Sequence, residues 1–194
     1  MKTKRFSIFI AIVMVLAQMF ALVPLANAAG GRDVITLIPP LVEITSSSFA
    51  VFDSDDEPIT DFSNIPQDAN VSISYSFKVN DADNPSDDVV GSDYFTISLP
   101  EELTSIASFT PITDRIFTTT VDGETYTIGN LNITVAGIAT FTFHDDMQHL
   151  SDVTINYTVD GSFDDGKIGD GDSVSFQLDA GGEIYTIVFE DELR

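Results

Sequence analysis

The 194-residue chain carries 31 Asp and Glu against 8 Lys and Arg, a formal net charge of −23, with no cysteine and no tryptophan. Such a surface repels nucleic acid and anionic membranes and suits cationic ligands, divalent cations or solubility in a salty medium. Without cysteine there is no disulfide, so stability must come from core size, calcium or another crosslink.

Lys2, Lys4 and Arg5 precede an apolar run from Phe6 to Val23, interrupted at Gln18 and ended by Pro24, and Ala26-Asn27-Ala28 supplies small residues. This is the pattern of a secretory signal peptide, 1–28, cleaved after Ala28. Cleavage removes three basic residues and no acidic ones, leaving a more acidic chain. No second apolar span and no sorting motif of the LPxTG kind follows. The product is expected to be exported, either released or as the front piece of something longer.

Residues 29–45 read as a lead-in segment with a first strand near 33–38, and 46–194 as a single sandwich domain. Alternation dominates the rest. Val71, Ile73, Tyr75, Phe77 and Val79 alternate with Ser72, Ser74, Ser76 and Lys78, and Val153, Ile155, Tyr157 and Val159 with Thr154, Asn156 and Thr158. The same pattern runs through Phe95–Leu99 and Val174–Leu178. These are half-buried strands, one face in a core and one in water. Further strands are expected near 48–53, 116–121, 125–128, 131–135, 138–143 and 184–189. Asp122-Gly123 between strand patterns predicts a two-residue hairpin. No window shows the apolar spacing of a substantial helix, so the fold class is all-β, a β-sandwich in preference to a barrel.

The segment Phe141-Thr142-Phe143-His144-Asp145-Asp146-Met147-Gln148-His149-Leu150 holds both histidines of the chain. Zinc sites need three or four ligands, and here two histidines stand five apart with no cysteine to help. The segment reads as a strand end followed by a solvated turn. No G-x-S-x-G elbow marks a nucleophile, and with 31 acids no one carboxylate pair stands out for glycoside hydrolysis. The chain is read as non-enzymatic.

Calcium is the more serious chemical option, because oxygen ligands cluster in loops. The candidates are Asp53, Asp55 and Asp56; Asp81 and Asp83; and Asp165, Asp170 and Asp172. None has EF-hand spacing, and solvated turns are the simpler reading. No cofactor is otherwise expected. An internal isopeptide crosslink would need a buried lysine, but Lys78 alternates outward and Lys167 lies in a Gly/Asp loop.

Two stretches carry a family likeness. Gly91-Ser92-Asp93-Tyr94-Phe95-Thr96-Ile97-Ser98-Leu99-Pro100 resembles the "GDYFTI…LP" strand of ligand-binding regions in Gram-positive cell-surface adhesins. Ala139 to Met147, followed by Leu150-Ser151-Asp152-Val153, is similar to their "TYTFTDYVD" strand. The likeness is to the first Ig-like subdomain of collagen-adhesin (MSCRAMM-type) proteins, and it spans about 45–163. It implies an Ig-like β-sandwich of the adhesin-type variant, binding a host or matrix protein such as collagen or fibrinogen at the bacterial surface. In that family a latch strand adds to the sheet, and the resemblance places Thr140, Phe141, Thr142, Phe143, Asp145 and Asp146 along the latch trench. Implied partners are an extracellular protein or a neighbouring Ig-like subdomain. The alternative is a secreted structural or calcium-binding matrix component without a host ligand. Polysaccharide binding ranks last, because there is no tryptophan for sugar stacking.

Overall fold

The alternation seen in the sequence becomes two antiparallel sheets with one apolar face each. The computed structural model describes residues 31–37, 40–79, 88–150, 152–169, 172–179 and 182–190. By contacts the chain divides into Met1–Gly30 and Gly31–Arg194, and every described residue belongs to the second unit. The signal-peptide segment and its cleavage point after Ala28 lie outside the described residues.

The first sheet has the order β2 (Pro58–Ile59), β1 (Val42–Phe52), β3 (Asn70–Val79), β9 (Thr154–Phe163), β5 (Ala107–Phe109). The second has the order β4 (Tyr94–Ser98), β8 (Ile138–Phe143), β7 (Glu124–Ile133), β6 (Ile112–Val121). A separate hairpin joins β10 (Ser173–Gln177) and β11 (Ile184–Val188). Among the described residues helix is confined to one turn, α1 (Glu101–Thr104), and two short 3-10 turns.

Register decides which residues meet. Ser47, Tyr75 and Tyr157 lie side by side across β1, β3 and β9, as do Phe49, Ile73 and Val159. The second sheet closes onto this face through aromatic rings. Phe77 of β3 lies 4.7 Å from Phe95 of β4, and Phe95 stacks on Phe141 of β8 at 5.5 Å. The β10–β11 hairpin covers the far end, with Phe176 edge-on to Phe49 at 5.0 Å. Each fully buried aromatic of this kind contributes about 1.5–3 kcal/mol over leaving it in water. The opposite face of β3 and β9 carries Ser72, Ser74, Ser76, Asn156 and Thr158, so the same alternation that fills the core leaves a hydroxyl-rich outer surface.

Three expectations need correction. Of the strand expected near 33–38, the described residues 33–37 do not form one: Asp33 makes one parallel bridge to Tyr94, and the chain then turns, the Leu41 N–H donating to the Val34 carbonyl. The boundary drawn at residue 45 falls inside β1, and buried Val34, Leu41 and Val42 make the segment from Gly31 part of the sandwich. The strands expected at 125–128 and 131–135 are one strand, β7, with a register shift where Phe117/Thr118 of β6 meet Thr127–Gly129. A bulge absorbs the extra residue without ending the strand. The Asp122-Gly123 hairpin forms as the sequence predicts, with φ of 52° and 87°, the doubly positive pair that Asp-Gly accepts at low strain.

Candidate functional site

The two adhesin-like stretches become hydrogen-bonded neighbours. Tyr94 pairs with Thr142 and Phe95 with Phe141, and at the end of the pairing the Phe143 N–H donates to the Asp93 carbonyl at 2.8 Å. A long-range ion pair anchors this junction. Asp93 is 1% exposed, the one fully buried acid among the described residues. The Arg32 guanidinium grips it, Nη2 at 2.6 Å from Oδ2 and Nε at 3.2 Å from both oxygens, while the Arg32 N–H donates to Oδ1 at 2.9 Å. The Val90 N–H adds a bond at 3.1 Å. Burial alone would raise the Asp93 carboxyl, but the bonds from Arg32 and Val90 and the charge of Arg32 outweigh it and hold it below the usual carboxylate range. The neighbouring Asp33 is pushed the other way by burial, relieved only in part by the Ile35 N–H.

After β8 the chain makes a 3-10 turn, Asp145–His149, with Met147 buried beneath it. His144 Nδ1 accepts from the Asp146 N–H at 3.3 Å, and Asp146 Oδ2 accepts from the Thr127 N–H of β7 at 2.8 Å. Asp145 packs on Gly91, where an added Cβ would meet its Oδ1 at 1.8 Å and its Cα at 2.9 Å. Gly91→Ala is therefore expected to cost about 1–3 kcal/mol by crowding, with urea denaturation as the check. A loss near zero would show that the turn yields freely.

Of the residues assigned to the trench, Thr140 and Thr142 face away from the core, and Asp145 and Asp146 sit in the turn. Phe141 and Phe143 do not line a surface: they are 0% and 3% exposed, because alternation sends both rings into the core. β8 is also flanked on both sides, by β4 over Tyr94–Ser98 and by β7 over Gly129–Ile133. A strand cannot be added along it. The edges of this sheet are β4, whose first residues are met by Arg32 and Val34, and β6.

The calcium candidates serve turns. Asp53 Oδ1 accepts from the Asp55 and Glu57 N–H groups, both at 2.9 Å, and Asp56 adopts φ 62°. Asp165 opens a 3-10 turn, and Asp172 Oδ2 accepts from the Gly169 N–H at 2.7 Å. Asp81, Asp83 and Asp170 lie outside the described residues. Among the described residues no three His, Asp or Glu side chains cluster as a metal site. Lys78 reaches Asp152 at 3.8 Å and Lys167 reaches Asp164 at 3.0 Å, both lysines at the surface.

What the sequence reading missed is the free edge. β6 has a partner only on its β7 side among the described residues, and its outer side is exposed along most of its length. Ile116 is 68% exposed and Val121 44%. The signal available was composition: Arg115 to Val121 combine β-branched residues with no acid, no Pro and no Lys, the devices that usually blunt an edge.

Among the described residues no helix is long and apolar enough to cross a membrane. A family model described as bacterial Ig domain matches residues 67–173, more than half of the chain. Among solved structures, the chain is similar to the collagen adhesin of S. aureus at 18% identity and a TM-score of 0.47, covering 85% of this chain and 46% of that one. The chain thus spans less than half the length of that structure. No curated protein matches.

Proposed function

We propose that this chain, which belongs to the bacterial Ig domain family, is an exported, non-enzymatic adhesin-like domain that binds an extracellular protein at the bacterial surface. The observation that carries the reading is the open β6 edge. An unpaired strand offers N–H and C=O groups to an extended peptide, which joins the sheet as a further strand. In a two-residue hairpin the residues beside the turn exchange both bonds, so alternate residues, Thr120 and Thr118, aim their backbone groups at the free side. Ile116 and Val121 supply the apolar contacts that an incoming strand would cover. This placement differs from the trench along β8 because β8 has no free side. Collagen- and fibrinogen-like proteins are the first ligands to test.

Immobilised collagen and fibrinogen provide that test. The full chain is expected to bind at least one of them. Thr118→Pro, which removes an outward N–H, is expected to abolish binding while Tm stays within a few degrees. Binding that survives in Thr118→Pro would place the site elsewhere, and failure to bind either protein would sink the adhesin reading. The calcium-dependent matrix alternative predicts heat and a Tm rise on calcium titration.

A further inference from the structure

Of the four described Lys and Arg residues, three are paired: Arg32 with Asp93, Lys78 with Asp152 and Lys167 with Asp164. Arg115 makes no ion pair among the described residues. In a chain of net charge −23 that isolation needs a physical account, and the local backbone gives one. The adjacent acid, Asp114, adopts φ 50° at an irregularity in β6. It is held by β7: its N–H donates to Asn132 Oδ1 at 3.0 Å, and its Oδ1 accepts from Asn130 Nδ2 at 3.0 Å. Asp114 is thereby tied away from its neighbour. The Arg115 guanidinium instead sits 5.4 Å from the centre of the Phe117 ring. A ring face steadies a cation without using its N–H donors.

Arg115 also lines a surface trough of about 230 Å³ on the five-stranded sheet. The floor comes from successive cross-strand positions: Ser46 and Ser48 of β1, Ser74 and Ser76 of β3, Asn156 and Thr158 of β9. Short side chains on three adjacent strands leave the depression. The Ser74 and Thr158 hydroxyls bond each other at 3.1 Å and fix the middle, while Ser46, Ser48 and Asn156 are exposed. One register step further, Ser72 donates to Asp160 at 2.8 Å, so the polar row ends in a carboxylate.

From this geometry we infer that the trough is a binding site for a carboxylated sugar, with Arg115 taking the carboxylate and the Ser/Thr/Asn floor taking the hydroxyls. A protein partner would want an exposed apolar or aromatic anchor; Tyr75 and Tyr157 also line the trough, but they are buried, at 2% and 3% exposure, and present no such anchor. Hydroxyls and amides both donate and accept, which matches a polyhydroxylated ligand. Guanidinium and carboxylate form a paired, charge-assisted contact. The lack of tryptophan counts against sugars recognised by stacking; this trough uses charge and hydroxyls in its place. The site shares β6 with the edge assigned to protein binding but uses the Arg115 side chain rather than the outward backbone groups of Thr118 and Thr120, and it stands or falls independently of that assignment.

The test titrates the full chain with 3′-sialyllactose and tetragalacturonate, using lactose and methyl-esterified tetragalacturonate as uncharged counterparts and hexaglutamate as an acidic peptide. Calorimetry gives affinity, and amide NMR shifts locate the ligand. At least one carboxylated sugar is expected to bind with a Kd on the order of 1 mM, shifting Ser74, Ser76, Asn156 and Thr158. The two sugars tell a sialic acid from a uronic acid. Arg115→Gln and the uncharged counterpart should each weaken binding about tenfold or more, and Arg115→Lys less than Arg115→Gln. Ser48→Gln, which fills the trough and keeps Arg115, should weaken it as well. Binding of neither carboxylated sugar, equal binding of the neutral forms, indifference to Arg115→Gln, or preference for hexaglutamate would each overturn the assignment. Thr118→Pro is expected to leave sugar binding intact.

Discussion

Arg32→Ala is expected to destabilise the sandwich by about 2–4 kcal/mol, because it leaves a buried carboxylate without its cation. For a chain of this size that is a Tm drop of about 5–15 °C by calorimetry. The lower end of the range reflects the 36% exposure of the Arg32 side chain, while Asp93, at 2%, has no water to fall back on. A double-mutant cycle with Asp93→Asn should show a coupling above about 1 kcal/mol. The pH dependence has a definite sign. The folded Asp93 carboxyl is depressed, so its contribution is fully present above the unfolded value near pH 4 and is lost as pH falls through the folded value. In the variant the burial remains without its compensation, so the carboxyl should rise instead. Acidification from pH 7 towards 4 should then stabilise Arg32→Ala and narrow its gap to the parent. A gap that does not change over that range would show that Asp93 does not feel Arg32.

That ion pair also marks what sequence can and cannot show. Arg32 and Asp93 are 61 residues apart, and neither breaks a periodic pattern. By contrast, β3 and β9 are legible because every second residue is large and apolar for a whole strand. The beginning of β1 is hidden because Thr45-Ser46-Ser47-Ser48 has no apolar alternation, yet the stretch is held by pairing to Ser74–Ser76. Gly129 and Asn130 break the apolar pattern of β7, so a bulge reads as two strands. The lead-in is the opposite case: Val34, Ile35 and Leu37 are apolar enough for a strand, but only one bridge to Tyr94 forms before the chain turns.

The sites show the same division. The segment Phe141–Leu150 is legible as a strand end and a turn, since its histidine spacing gives poor metal geometry and its phenylalanines alternate inward. Which strands flank β8 is not legible. That pairing decides whether a further strand can dock there, and it moves the open edge to β6. The hydroxyl trough is likewise invisible, because Ser46, Ser74 and Asn156 become neighbours only through the registers of two separate strand pairs.

Phe95→Ala is expected to cost about 3–5 kcal/mol, comparable to losing the ion pair, but through a different mechanism. Phe95 is fully buried and touches Phe77 across the sheets at 4.7 Å, Phe141 at 5.5 Å and Phe143 at 6.0 Å. Removing its ring opens a cavity between the sheets, and the surrounding rings, held on β3 and β8, can close it only in part. Ile97, two residues along the same face of β4, is only partly buried, so Ile97→Ala should cost less, about 1–2 kcal/mol. Urea denaturation followed by far-UV circular dichroism measures both, and an unchanged slope would show that the two variants unfold as the parent does. A Phe95→Ala loss below that of Ile97→Ala would mean that the second sheet is held by something other than its aromatic contact with β3. Asp93 and Phe95 stand two residues apart at the start of β4, so the combined loss should exceed or fall short of the sum. Additivity would show that the core contact and the anchor act independently, and coupling would show that Arg32 sets the position from which Phe95 packs.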